Sequence, residues 1–280
     1  MAKPKHPEKK QKAPKAAKPE VPSKHFDRDA KKPERSRGPA TERKSLSKKD
    51  HREPVQAEVG ARISRRAADR LRSGHVWVYS SDIEQIEVGC GGAPALLPVA
   101  DNRGLLLGTA LYSPTSQIAL RLVSREAIVE GEWLNLLESR LRKAIERRRP
   151  LTNEETNACR LCFSEADELP GLVADKYGDL VILQLLAKGL DSAAVRETCV
   201  RVLREELTLG VIVERPDPRV RELEGLSAPS SEPLWVSDQF PITGTVQFRL
   251  NGLVFHFDPN AGQKTGAFLD QRANYAAANG

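Results

Sequence analysis

The chain has 280 residues, 39% of them hydrophobic, and a formal net charge of +6, which is length and apolar content enough for more than one core. The charge is uneven: residues 1–57 hold 18 Lys and Arg against 8 Asp and Glu, leaving 26 against 30 for everything after. No apolar run reaches the length of a membrane span, and Glu20, Asp27, Asp29 and Glu34 interrupt the basic start in a way that transit and secretory signals exclude, so the sequence predicts a cytoplasmic protein with no membrane partner.

Residues 1–57 are Lys, Pro, Ala, Glu and Ser with almost no large apolar side chains. Such a stretch buries too little surface to offset its chain entropy and is expected to be a disordered tail. It reads either as a mobile arm attracted to phosphate backbones or as a solubilising extension.

From residue 58 short elements follow at close spacing. Residues 58–63 predict a strand and 65–72 a basic helix closed by Ser73-Gly74. Strands are expected over 76–79, 96–101, 105–112 and 118–123, together a compact β-barrel. Trp133, Leu137, Leu141, Ala144 and Ile145 share one face of a helix over 132–149, which Pro150 ends.

A second unit then carries strands over 159–163, 172–176 and 180–186, with Tyr177-Gly178-Asp179 as a hairpin turn. A helix over 192–207 and a buried strand over 210–214 come next. Residues 216–233, rich in Pro, Glu, Gly and Ser, are expected to be a loop. The hairpin of 246–250 and 253–257 turns at Asn251-Gly252, giving an α+β layer domain.

Three places carry chemistry. Arg65, Arg66, Arg70 and Arg72 precede His75 and Trp77, and cations beside aromatics suit RNA, whose phosphates are neutralised and whose splayed bases stack on flat side chains. The same pattern also describes a solvated helix face with Trp77 in the core. Glu165, Asp167 and Glu168 crowd a Pro-Gly turn, either as a metal or acid/base group or, more simply, as an acidic turn capping nearby N–H groups; no nucleophile stands beside them. Gly262 to Arg272 is a polar loop leading into Phe268, Leu269, Arg272 and Tyr275 at helical spacing, readable as a ligand loop or as a plain helix start. It is not a nucleotide-hydrolysing phosphate loop, because Gln263 and Asp258 stand where that pattern needs glycine. Cys159 and Cys162 lie in an alternating strand pattern that points them to opposite faces, with no second pair to complete a metal site. They read as structural.

Three blocks resemble, in order, the RlmI (YccW-like) family of class I S-adenosylmethionine (SAM)-dependent ribosomal RNA cytosine-5 methyltransferases. Residues 71–80, with Gly74-His75-Val76-Trp77-Val78-Tyr79, resemble the opening of its PUA domain. Residues 160–179 resemble its central signature. Lys264-Thr265-Gly266-Ala267-Phe268-Leu269-Asp270-Gln271-Arg272 resembles its G-x-K-T-G-x-F-L-D-Q-R segment.

The resemblance implies a disordered tail (1–57), a PUA-like RNA-binding domain (58–128), a central α+β domain (129–258) and, at 259–280, only the opening helix of a Rossmann-like methyltransferase domain. It implies ribosomal RNA as partner, with Arg65, Arg66, Arg70, Arg72, His75 and Trp77 at the RNA. It further implies SAM as cofactor of the complete enzyme, with Lys264, Thr265, Phe268 and Gln271 bordering its pocket. The glycine-rich donor-binding turn and the cysteines used as nucleophile and for product release belong to the catalytic domain that such proteins carry beyond this segment. Cys90, Cys159, Cys162 and Cys199 therefore take no catalytic role, and the chain is expected to be an N-terminal portion inactive by itself. The alternative is a non-catalytic RNA-binding or ribosome-associated protein.

Overall fold

The computed structural model describes residues 60–88, 95–239, 245–258 and 265–279; the expected tail, Cys90 and Lys264 lie outside them. The first element, β1 (Ala61–Ile63), leads into α1 (Arg65–Arg72), whose start is set by Ser64 accepting the Ala67 N–H at 3.3 Å. Ala67, Ala68 and Leu71 form its buried stripe. Then come β2 (Trp77–Tyr79), β3 (Ile83–Ile86), β4 (Leu96–Ala100), β5 (Leu106–Tyr112) and β6 (Ile118–Ser124). They hydrogen-bond in the order β2-β6-β5-β4-β1-β3, antiparallel except for the β1–β4 pair. No ladder joins β2 to β3 among the described residues, so the barrel is open at that seam. The sequence missed β3 because Ile83 and Ile86 are three apart, off the two-residue strand period, and the strand is a half-buried edge.

The body begins with α2 (Glu130–Arg148), which starts two residues earlier than its apolar stripe suggests, the Glu132 carboxylate accepting the Val129 N–H at 2.9 Å. It buries the five residues named above. Next are β7 (Ala158–Phe163), β8 (Leu172–Tyr177), β9 (Leu180–Leu185), α3 (Ala193–Glu206), β10 (Val211–Glu214), α4 (Pro218–Leu223) and β11 (Trp235–Val236). The sheet order is β11-β10-β9-β8-β7, with β9 and β10 parallel across α3. Gly178, at φ +57, makes the β8–β9 turn, and a Cβ there would lie 2.7 Å from the Gln247 carbonyl.

Both faces of this sheet are covered, which explains why every residue of β9 is buried. Val181, Leu183 and Leu185 face the core built with α2 and α3, while Leu180 and Ile182 face a second core with Phe248 and Leu250. That second core is roofed by the hairpin β12 (Val246–Leu250) and β13 (Leu253–Phe257) and by Leu269 and Tyr275 of the last segment, which ends in α5 (Arg272–Asn279). Leu111 of β5 and Val123 of β6 belong to the body's core, so the PUA-like sheet and the body share apolar packing.

Two expectations need correction. A register shift between Arg160 and Cys162 breaks the alternation of β7, and Cys159, Leu161 and Cys162 all join the α2/α3 core; the cysteines are not on opposite faces, because a bulge adds one residue to the count. The loop expected over 216–233 contains α4. Asp217 accepts the Arg219 and Val220 N–H groups and Pro218 opens the helix, a start signal hidden in a composition that reads as loop.

Candidate functional site

The candidate RNA face lies on α1 and β2. Strand alternation puts Val78 inside and Trp77 and Tyr79 outside. Trp77 is 37% exposed, with its indole N–H donating to Glu165 Oε1 at 2.8 Å, so of the two readings its core placement fails. His75 is exposed. The four arginines divide. Arg65 and Arg66 are exposed, Arg65 lying 3.9 Å from Asp69. Arg70 meets Asp82 at 2.5 Å and Arg72 meets Asp101 at 2.5 Å. Burial pushes the Asp101 carboxyl up, but its bonds from Arg72 and from the Leu105 and Arg103 N–H groups outweigh this and hold it below the usual carboxylate range.

The acidic turn acts as a cap. Asp167 is buried, accepts the Phe163 N–H at 2.7 Å, and takes two bonds from Arg148, at 2.9 and 2.8 Å. Ser164 and Glu168 adopt left-handed backbone, φ 48° and 59°, which turns Glu165 toward Trp77. Among the described residues no group of three or more His, Cys, Asp or Glu is placed to hold a metal ion, and no helix is long and apolar enough to cross a membrane.

A cleft of about 550 Å³ opens between β7 and the 265–272 segment, lined among others by Arg148, Arg160, Phe163, Phe268, Asp270 and Arg272. Behind Arg160 and Thr265 of its lining lies a buried hydrogen-bonded triad. Asp175 is fully buried, takes two bonds from Arg160 at 2.8 and 3.0 Å, and accepts the Thr265 hydroxyl at 2.6 Å. The Asp175 bond raises the Arg160 pKa despite partial burial. Tyr177 Oη stands 3.3 Å from Thr265 Oγ1 and donates to the Ala267 carbonyl; burial pushes its pKa up to about 12.

Of the donor-site residues implied by the resemblance, Phe268 is half-exposed on the cleft, Thr265 turns its hydroxyl inward, and Gln271 accepts from the Asn274 side chain. SAM presents an adenine ring, ribose hydroxyls and a charged tail. Phe268 and Asp270 suit a ring and a hydroxyl, so the described residues fit one rim of such a pocket. Sequence reasoning did not find Arg160, Asp175 or Phe163 in this setting, because the Asp175–Thr265 bond spans 90 residues.

Cys159, Cys162 and Cys199 are free and buried. Burial raises the pKa of all three, that of Cys199 to about 12, so none is a thiolate near neutral pH. Treatment of the folded chain with iodoacetamide at pH 8 is expected to leave these three unmodified by peptide mass mapping; rapid alkylation of any of them would contradict the assignment.

Residues 61–125 match a family model described as a PUA-like domain. The fold thus defines a class, a PUA-like sheet carried on an α+β body. Two solved structures share it: a Streptococcus mutans protein assigned to the SAM-dependent methyltransferases (TM-score 0.61, 19% identity, 77% of this chain and 52% of that one) and a second assigned methyltransferase complexed with SAH (0.60, 19%, 77% and 52%). At that identity they bear on fold alone.

Among curated proteins, ribosomal RNA large subunit methyltransferase I of Pseudoalteromonas translucida is 35% identical over 210 residues, and that of Alteromonas mediterranea 34% over 219; each match covers 74% of this chain and 50% of the relative. The chain spans about half the length of the curated relatives it matches. Through that shared half it is similar to the ribosomal RNA large subunit methyltransferase I proteins.

Proposed function

We propose that this chain grips ribosomal RNA for a SAM-dependent methyl transfer to C5 of a cytosine in the large-subunit RNA, acting in the cytoplasm. The observation that carries this reading is the match to ribosomal RNA large subunit methyltransferase I across three quarters of the chain. The exposed set Arg65, Arg66, His75 and Trp77 on a PUA-like sheet supports the RNA part. Phe268, Thr265 and Gln271 are assigned to one rim of the donor pocket, and Lys264 joins them on the resemblance alone. Transfer to C5 needs a thiolate to add at C6 and a base taken out of its stack. Burial raises the pKa of Cys159, Cys162 and Cys199, so none of these three supplies that thiolate, and the 280 residues tested alone are expected to capture RNA without transferring methyl groups.

Replacing Arg65 and Arg66 with Glu is expected to weaken binding of transcribed large-subunit RNA in a filter assay. It should also flatten the log K against log salt slope by about 0.7–0.9 for each phosphate no longer neutralised. An unchanged slope sinks the assignment. Arg70→Glu and Arg72→Glu add less RNA effect per residue, because their charge is already matched by Asp82 and Asp101. For the reaction, bisulfite mapping of large-subunit RNA from cells with and without the gene is expected to show loss of one 5-methylcytosine; an identical map overturns the cytosine-5 reading.

A further inference from the structure

We propose that the cleft between β7 and the 265–272 segment holds one unstacked nucleotide of an RNA strand continuing from the PUA-like face, its base lying on Phe163. This rests on the reading above that the chain binds RNA.

Phe163 is 48% exposed at the end of a strand whose Leu161 and Cys162 are buried, so a flat apolar ring is presented to the cleft. The Arg160 guanidinium sits 4.9 Å from its centroid and is locked there by two bonds to buried Asp175. The guanidinium lies over one face of the ring, and this cation–π pair forms a layered platform on which a base can stack. The facing wall carries Phe268, given above to the donor, so the nucleotide takes the Phe163 side of the cleft and lies next to the donor. Among the described residues Arg272 bonds neutral acceptors, Asn251 Oδ1 at 3.1 Å and the Leu151 carbonyl at 3.0 Å. No ion pair to it occurs among the described residues, so its charge is available to a phosphate.

The volume, about 550 Å³, lies within the range of small-ligand sites. RNA is favoured over a free small molecule by continuity. Trp77 of the PUA-like face bonds to Glu165, two residues from Phe163, so the two aromatic surfaces flank one turn.

The test uses the 280-residue chain and a fluorescein-labelled short single-stranded RNA, followed by anisotropy. Phe163→Leu, which keeps apolar bulk without a ring face, is expected to lose about 5- to 100-fold in affinity with an unchanged salt slope. Phe163→Trp should restore binding, and Arg272→Gln should lower the slope by about one phosphate. If Phe163→Leu binds as tightly as wild type while the Arg65/Arg66 double variant is weakened, the cleft proposal falls and the RNA reading stands. If neither variant is weakened, the RNA reading falls with it. Loss of S-adenosylhomocysteine binding in Phe163→Leu with RNA affinity intact also overturns the proposal, giving the cleft wholly to the donor.

Discussion

Replacing Glu224 with alanine is expected to destabilise the folded chain by about 3–5 kcal/mol, the range for breaking a buried ion pair from one side, read as a lower urea midpoint. Glu224 follows α4 and is 3% exposed; Arg121 of β6 is 10% exposed by side chain, and its Nη2 donates to Glu224 Oε1 at 2.8 Å. Lys188 N–H donates to the other oxygen at 3.0 Å. Without the acid, a guanidinium stays buried with only Ser113 Oγ and the Ile118 carbonyl for company. Glu224→Gln, which keeps an acceptor, should cost less, and replacing both partners by apolar residues less again. A loss below about 1 kcal/mol for the alanine variant would show that the pair is solvated.

The same pair gives a pH dependence. Burial pushes the Glu224 carboxyl up, but bonds from Ser113 and Ser116 and the charge of Arg121 prevail, so its folded pKa lies below the usual 4.5. A carboxyl with a depressed folded pKa stabilises the fold above its unfolded pKa. That contribution is lost as pH falls from about 4.5 through the folded value. Wild type should therefore lose stability faster than Glu224→Gln on acidification below pH 4.5.

The second large effect is expected at Asp175. Asp175→Ala removes the acceptor of both Arg160 and Thr265, leaving the half-exposed Arg160 head unpaired and releasing the 265–279 segment from the sheet. The expected cost is about 3 kcal/mol, with faster amide exchange over 265–279 than over β9. Thr265→Val, which deletes only the hydroxyl bond, should cost about 1 kcal/mol. Equal costs for the two variants would mean that the Arg160 pair contributes nothing. Because Asp175 also locks Arg160 against Phe163, Asp175→Asn should weaken RNA binding without unfolding the chain.

Leu111 and Val123 lie in the body's core and Arg121 reaches across to Glu224, so the PUA-like sheet and the body are expected to unfold in one transition. Two calorimetric peaks would contradict a shared core.

What was legible in the sequence was what local physics sets. The stripe of Trp133, Leu137, Leu141, Ala144 and Ile145 specified α2 because a helix repeats every 3.6 residues. The alternation in 246–250 and 253–257 around Asn251-Gly252, both left-handed at φ 53° and 79°, specified the hairpin because that turn needs such backbone. The α1 bounds followed from its basic amphipathic run and the Ser73-Gly74 stop. The β7 bulge, β3 and α4 were not legible: a bulge answers to the partner strand, β3 owes its existence to pairing with β1, and α4's capping residues sit inside a Pro/Gly-rich stretch.

The site divided in the same way. Residue types and their order, together with the family resemblance, placed Arg65, Arg66, His75, Trp77 and the 264–271 segment as candidates from the sequence alone. Only the tertiary structure decided that Trp77 faces outward to Glu165, 88 residues away, that Arg70 and Arg72 are matched by Asp82 and Asp101, and that Thr265 turns inward to Asp175. Propensity and periodicity act over a few residues, whereas the partner of a charge or a hydroxyl is set by which strands the packed core brings side by side.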